Sequence, residues 1–178
     1  MRSGVGRPTG QRSIAYTALA GAGWRLEQSE IWEALIMQAR AEARYRLDHG
    51  EKPALLHTAE EVDALIDSLL TGPVHENMAQ IHSLERESMP SGFPDHELLV
   101  GVDRDLQVGV IAYLDSDGNV VTLGSPGRSG PVYYIQGHMT EFPANSEIPI
   151  DLVRRGVKEF LSSGGRRPAC VQWQAAQA

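Results

Sequence analysis

The chain contains a single cysteine, Cys170, among its 178 residues. One cysteine cannot form an internal disulfide, so nothing requires an oxidising compartment, and we expect a cytoplasmic protein. One cysteine also cannot build a zinc site of the deaminase type, which uses cysteine ligands from a P-C-x-x-C motif. Because Cys170 lies in an apolar segment beside Trp173, we interpret it as a buried small side chain rather than a reactive thiol.

Long apolar runs and clusters of basic residues are equally scarce. No segment approaches the roughly 20 apolar residues of a membrane span. The net charge is −7, with 16 Lys and Arg against 23 Asp and Glu. Nucleic-acid binding depends on clustered cations, so the composition argues against direct contact with nucleic acid. An acidic protein is instead attracted to a partner with a basic surface, although acidity also serves ordinary solubility.

The usual metal and nucleophile motifs do not occur in the sequence. The 6 histidines form no HExxH pattern and no close pair with cysteine. The segment from Asp115 resembles the start of a calcium loop, but Pro126 stands where that loop needs its bidentate glutamate. The glycine-rich segment 124–130 has no lysine of a phosphate-binding loop. We therefore predict no catalytic residue, no cofactor and no metal.

Composition along the chain divides it into three regions. Residues 1–23 are rich in Gly, Arg and small side chains without periodicity, which predicts a disordered tail. Residues 24–47 can form an amphipathic helix. Residues 48–174 carry the signals of one folded domain. Met37 offers a second start for translation, so the sequence leaves open whether residues 1–36 occur in the native protein.

Local signals predict two principal helices in this domain. The first starts at the capping box Thr58–Glu61 and stops at Gly72-Pro73. The second starts near residues 146–149, where Ser146 can cap it, and stops at Gly164-Gly165. Each segment carries apolar residues at the three-and-four spacing of one buried helix face.

Apolar and alternating segments predict an antiparallel sheet under these helices. The predicted strands are residues 54–56, 78–84, 98–102, 107–114, 119–123, 132–135 and a terminal strand from Cys170 to Trp173. Asp117-Gly118 is a typical tight hairpin turn. The predicted fold class is α+β, an antiparallel sheet with two principal helices packed on it and an N-terminal extension.

From Tyr45 to Gln174 a series of segments follows in a characteristic order. HGEKPALLHTAEEVDALIDSLL and PDHELLVGVDRDLQVGVIAYLDSDGNVVTLGS precede a Tyr-Tyr strand and a Phe-Pro turn. A helix ending in Glu-Phe-Leu, then SGGRRP and VQWQ, closes the series. The ordered set resembles the first-numbered immunity-protein family of bacterial polymorphic toxin systems. The likeness covers about three quarters of the chain, as expected of one domain.

This resemblance implies a protein without catalytic activity that binds and neutralises a cognate toxin, commonly a nucleic-acid deaminase. Such a protein would block the toxin's active-site region through its bulk and its charge. We predict no direct nucleic-acid partner and no membrane partner, and the sequence leaves the oligomeric state open. For the contact surface we predict acidic loop residues, which would meet a basic cleft. They are Asp95, Glu97, Asp103, Asp105, Asp115, Asp117, Glu141 and Glu147.

Two other classes of function stay open at this point. A small-molecule-binding or enzymatic α+β domain would need convergent polar side chains in a pocket, for instance His96, His138 and a carboxylate. A structural interaction domain would need no toxin at all. A toxin gene beside this one would favour immunity, and a metabolic operon would favour an enzyme.

Overall fold

The computed structural model of the protein describes residues 39–176. The predicted tail of residues 1–23 lies outside this range, as does the predicted helix of residues 24–47 up to residue 38, and both stay predictions. The described part has the predicted α+β fold, with two helices on one face of a large antiparallel sheet.

Antiparallel strands form the frame of the domain. They are β1 Ala41–Arg44, β2 Ala54–Leu56, β3 Met78–Ser83, β4 His96–Asp103, β5 Val108–Asp115, β6 Gly118–Thr122, β7 Val132–Ile135, β8 His138–Glu141, β9 Ile148–Pro149 and β10 Trp173–Ala175. The main sheet has the order β10-β6-β5-β4-β3-β1-β2, and β9 pairs with β5. Strands β7 and β8 form a separate hairpin.

Helix α1 spans Ala59–Thr71 and begins with the predicted capping box. The Thr58 hydroxyl accepts a hydrogen bond from the Glu61 backbone N–H at 3.3 Å, and the Glu61 carboxylate accepts one from the Thr58 N–H at 3.2 Å. These bonds satisfy amide groups that a helix start otherwise leaves unpaired. The buried face consists of Val62, Leu65, Ile66 and Leu69.

Helix α2 spans Ile150–Ser162, so it begins one residue after the predicted window. The residues just before it, Ile148 and Pro149, pair with β5 as strand β9. Ser146, predicted to cap the helix, is fully buried and makes no side-chain cap, because Pro149 holds that position. The predicted end at Gly164-Gly165 is confirmed by φ angles of 71° and 84°, the left-handed backbone that ends many helices.

Strand β1 lies where the sequence predicts the last part of a helix, so that prediction is wrong for residues 41–44. The segment AEAR has no β-branched or aromatic side chain, and its local preference is helical. It nevertheless pairs with β2 on one side and β3 on the other, and Ala41 and Ala43 are buried in the main core. The sheet thus includes residues ahead of the predicted domain start at residue 48.

The chain ends differently from the predicted Cys170–Trp173 strand. The terminal strand β10 is Trp173–Ala175, which pairs with β6. Cys170 precedes it and is half-buried, and burial raises the pKa of its thiol to about 11. A thiol with so high a pKa carries little nucleophilic thiolate, in agreement with the interpretation of Cys170 as unreactive.

Helices α1 and α2 have 13 residues each. Within residues 39–176, no helix has the length and apolarity needed to cross a membrane.

Candidate functional site

The main sheet has two faces, and the helices cover only one of them. Successive side chains of a strand point to opposite faces. Leu98 and Val100 of β4 therefore face α1 and α2, whereas Glu97 and Leu99 point away from the helices. The face that points away from the helices is named the outer face.

Cross-strand neighbours divide the outer face into three parallel rows, which follow from the strand registers. The first row is Met78, Gly101 and Val110. The second is Arg44, Gln80, Leu99, Ala112 and Val121. The third row, named the open row, is Glu42, His82, Glu97, Leu114 and Asn119. Strands β3 and β4 pair as far as Ile81 and Leu98, and the same register places the next residues, His82 and Glu97, beside each other.

The β7–β8 hairpin covers the first row. Tyr133 of β7 lies directly on Gly101, where a Cβ atom would be 2.6 Å from the tyrosine Cγ, so only glycine allows this approach. Tyr133 and Phe142 pack edge-to-face with ring centroids 5.9 Å apart. Together they form a second, smaller core with Met78 and Val110. We name this part of the outer face the covered end.

Ionic contacts lock the covered end. The Tyr133 hydroxyl donates to the Glu147 carboxylate at 2.5 Å, and Arg128 pairs with both Glu147 and Asp103. Burial, reinforced by the neighbouring Glu147, raises the pKa of Tyr133, and the hydrogen bond to Glu147 raises the pKa of Arg128. The Glu147 and Asp103 carboxylates are therefore already paired within the domain.

The open row borders the loop of residues 84–95, which rises beside it. A bridge between Ser88 and Pro94 and a hydrogen bond from the Met89 N–H to the Phe93 carbonyl at 2.8 Å fold this loop back on itself. Its tip exposes 45% of Met89 and 68% of Phe93. Two clefts of about 520 and 600 Å³ lie between the loop and the open row. The open row, this loop and the turn Asp115–Gly118 are named the open end.

His96 attaches the 84–95 loop to the domain. The Ser83 N–H donates to its Nε2 at 2.8 Å, so the ring proton lies on Nδ1, which faces the Asp95 carboxylate at 2.8 Å. Arg86 pairs with the same carboxylate and donates to the Tyr113 hydroxyl at 2.8 Å. Burial lowers the pKa of His96, and Arg86 lowers the pKa of Asp95. Both nitrogens of His96 are thus engaged in holding the loop.

His82 differs from His96 in its contacts. Its ring lines both clefts and is nearly buried, with 8% of the residue exposed. Its Nδ1 is enclosed and has no hydrogen-bond partner within residues 39–176. The nearest acid is Glu42, whose Oε1 lies 3.7 Å away and also pairs with Arg44. The proximity of His82 and then of Arg44 lowers the pKa of Glu42.

The structure places four of the eight predicted contact residues at the open end and the other four away from it. Glu97, Asp115 and Asp95 line a cleft at the open end, and exposed Asp117 follows in the adjoining turn. Asp103 and Asp105 lie at the opposite end of β4, about 20 Å away at the usual rise per strand residue. The remaining two are elsewhere: Glu141 is exposed on β8, and Glu147 is enclosed at the covered end.

Charge is balanced differently in these groups. At the open end Asp95 is paired with Arg86, whereas Glu97, Asp115 and Asp117 pair with no cation in the part of the chain that the structure describes. Glu97 accepts only a neutral amide hydrogen bond, from Gln80 at 2.9 Å, and Asp115 accepts the Asp117 N–H at 2.9 Å. The open end therefore carries uncompensated negative charge.

No group of three or more potential metal ligands occurs among the described residues. His96 lines both clefts of the open end, whereas His138, on β8, lines neither of them. The open end offers carboxylate acceptors, an imidazole and two exposed apolar side chains. Such a surface can bind a complementary partner through ion pairs and apolar contact.

Sequence reasoning missed His82, Met89 and Phe93. The polar pair Gln80 and His82 at alternate positions of β3 was a usable signal, because alternate polar positions indicate a strand face that is not covered. The apolar side chains of Met89 and Phe93 within the Ser-, Gly- and Pro-rich 84–95 loop were a second signal, since such loops usually expose polar residues.

Comparison with models of known protein families gives a match over residues 50–175 to the family described as immunity protein Imm1. The match spans more than two thirds of the chain. The chain belongs to this immunity protein family. A search of curated proteins found no match. Membership in an Imm1 family implies a cognate toxin as the partner, and the likeness noted in the sequence is confirmed.

Proposed function

We propose that this Imm1 protein binds and neutralises a toxin that acts on nucleic acid, in particular a nucleic-acid deaminase, by covering the toxin's active-site region. It does so by binding and not by a reaction of its own. An enzyme that holds nucleic acid needs a cationic surface to bind phosphates. An acidic partner is complementary to that surface and reaches it rapidly through long-range attraction.

The observation that carries this proposal is the composition of the open end. Glu97 and Asp115 line the larger cleft together with exposed Met89 and Phe93, and Asp117 is exposed in the adjoining turn. None of these three acids pairs with a cation among the described residues. Binding surfaces commonly combine a few aromatic or Met anchors with a polar rim, and the anchors contribute most of the binding energy. We assign Phe93 as the anchor and the three acids as the rim.

The other predicted acids suit this role less well. Arg128 already neutralises Asp103 and Glu147, and breaking these pairs would expose Tyr133 as an unsatisfied donor. Asp105 lies 3.7 Å from Arg104 and lines a cleft of only about 90 Å³, and Glu141 lines a cleft of about 300 Å³, smaller than the two clefts of the open end. We therefore propose that the toxin contacts Asp95, Glu97, Asp115 and Asp117 and that the other four residues stay outside the interface.

The direct test is reconstitution with the toxin domain encoded next to this gene. The purified domain would be assayed for conversion of cytosine to uracil in a DNA oligonucleotide, with and without the Imm1 protein. We expect a stable complex and loss of deamination at equimolar protein. Failure to form a complex would contradict the immunity role, and a complex with a toxin of different chemistry would contradict the deaminase assignment.

A further inference from the structure

His82 is the least satisfied polar side chain at the open end. In the open row its ring lies between Glu42, whose carboxylate is 3.7 Å from Nδ1, and Glu97 on the neighbouring strand. Enclosed polar atoms normally have a hydrogen-bond partner, and leaving one without a partner is unfavourable. Because the enclosed Nδ1 faces Glu42, a ligand group in the cleft would meet the His82 ring at its other nitrogen, Nε2.

The surrounding charges specify the chemistry of that group. Arg44 already balances Glu42, whereas Glu97 receives only the neutral amide of Gln80. Asp115 lines the same cleft and also has no ion-pair partner in the described chain. With the His82 proton on Nδ1, facing Glu42, the other ring nitrogen Nε2 is a hydrogen-bond acceptor. The cleft therefore presents acceptors and negative charge, which suits a cationic donor.

We propose that the larger of the two clefts between the open row and the 84–95 loop, the one of about 600 Å³, receives an arginine side chain of the bound toxin. This inference rests on the proposed function and names the chemistry of the partner at that site. The guanidinium pairs with the Glu97 carboxylate, donates to the His82 ring and lies against the exposed ring of Phe93, which lines the same cleft.

Arginine suits this cleft better than lysine for two reasons. Its guanidinium is planar and presents five N–H donors in a fixed fork, so it can serve a carboxylate and an imidazole at once. It is also weakly hydrated and stacks on aromatic faces, whereas the ammonium of lysine is a compact, strongly hydrated charge. The cleft of about 600 Å³ has ample room for such a side chain.

The test is a double-mutant cycle with the catalytically inactive toxin domain encoded beside this gene. Glu97→Gln removes the charge but keeps an oxygen that can accept from Gln80, so the fold should be unaffected, as thermal unfolding would check. Asp105→Asn, at the opposite end of β4, is the matched control. Each arginine of the toxin's basic cleft would be replaced in turn by lysine, and dissociation constants would be measured by calorimetry.

We expect Glu97→Gln to weaken binding about 10- to 100-fold and Asp105→Asn less than about threefold, as for desolvated and exposed charges respectively. For one toxin arginine, the loss of binding free energy in the double mutant should differ from the sum of the losses caused by Glu97→Gln and by the arginine replacement alone. The ¹⁵N resonances of the His82 ring should shift in the wild-type complex and shift less with that arginine replaced. Complex formation with unchanged affinity for Glu97→Gln would overturn the arginine site but leave the proposed function intact. Absence of any complex would overturn both.

Discussion

The covered end and the open end of the sheet are formed by the same strands, β3, β4 and β5, but their side chains have different partners. At the covered end Met78 and Val110 lie under Tyr133, and the nearby acids are paired with Arg128. At the open end the row that begins with Glu42 and His82 faces two clefts. The acids of the covered end are thus paired within the domain, whereas Glu97, Asp115 and Asp117 at the open end have no cationic partner among the described residues, which is why we propose the open end as the binding surface.

Removing one aromatic ring at each end of the sheet should give the largest difference in the free energy of unfolding between the two ends. Tyr133→Ala should lower the free energy of unfolding by about 3–5 kcal/mol, because it removes a fully buried ring and leaves a cavity. Phe93→Ala should change it by less than about 0.5 kcal/mol, as expected for an exposed side chain. Urea unfolding of both variants measures this. Equal losses would show that the 84–95 loop is part of the core.

Adding one methyl group tests how closely the hairpin approaches the sheet. Gly101→Ala would place its Cβ 2.6 Å from Tyr133 Cγ, so the hairpin must shift, at a cost of about 1–3 kcal/mol. Gly50→Ala is the control, since nothing lies within 4 Å of its added Cβ. Thermal unfolding of the two variants should differ accordingly. A Gly101→Ala protein as stable as wild type would contradict the direct contact of Tyr133 with β4.

The attachment of the open end should depend on pH through His96. Its pKa is lowered by burial, so the folded state favours the neutral ring, and His96 stabilises the fold above its ordinary pKa of about 6.5. This contribution is lost as the pH falls through the lower, folded-state pKa. The slope can reach at most about 1.4 kcal/mol per pH unit for one proton.

The measurement is the free energy of unfolding between pH 7.5 and 5, a range in which the lowered pKa of Asp95 keeps its carboxylate charged. Burial also lowers the pKa of His49, which acts in the same direction, so the comparison must be between variants. His96→Gln should flatten the pH dependence of the free energy of unfolding relative to wild type. An identical slope for His96→Gln and wild type would exclude this role of His96.

Local signals account for most of the elements that could be predicted. The Thr58–Glu61 capping box and the Gly164-Gly165 stop each depend on a few neighbouring residues, and both occur as predicted. The β5–β6 hairpin also forms at the predicted place, but its two turn residues are Ser116 and Asp117, because Gly118 pairs with Asp115 as the first residue of β6. Strand β1 could not be predicted in this way, because AEAR favours a helix locally and becomes a strand only by filling the gap between β2 and β3.

The candidate site was harder to predict than the fold. Acidic loop residues are visible in a sequence, but their grouping depends on strand register. That register joins Glu42, His82 and Glu97 from three strands and separates Asp103 from Asp115 by the length of a strand. Arg128, which neutralises Asp103 and Glu147, comes from a loop distant from both in sequence. Only half of the predicted acids therefore lie at one surface.

Paired variants at the two ends of β4 and β5 test most directly whether the toxin binds the open end, as we propose. The open-end variant combines Phe93→Ala with Asp117→Lys. The matched control combines Leu106→Ala with Asp105→Lys in the β4–β5 turn, where 54% of Leu106 is exposed. Surface-capture kinetics with the inactive toxin domain would measure both.

We predict that the open-end variant binds at least about 100-fold more weakly, as expected when an aromatic anchor and a rim charge are lost, and that the control stays within about threefold of wild type. The wild-type association rate should fall as salt rises from about 0.05 to 0.5 M, because screening weakens the attraction. Loss of binding in the control with full binding by the open-end variant would contradict the account.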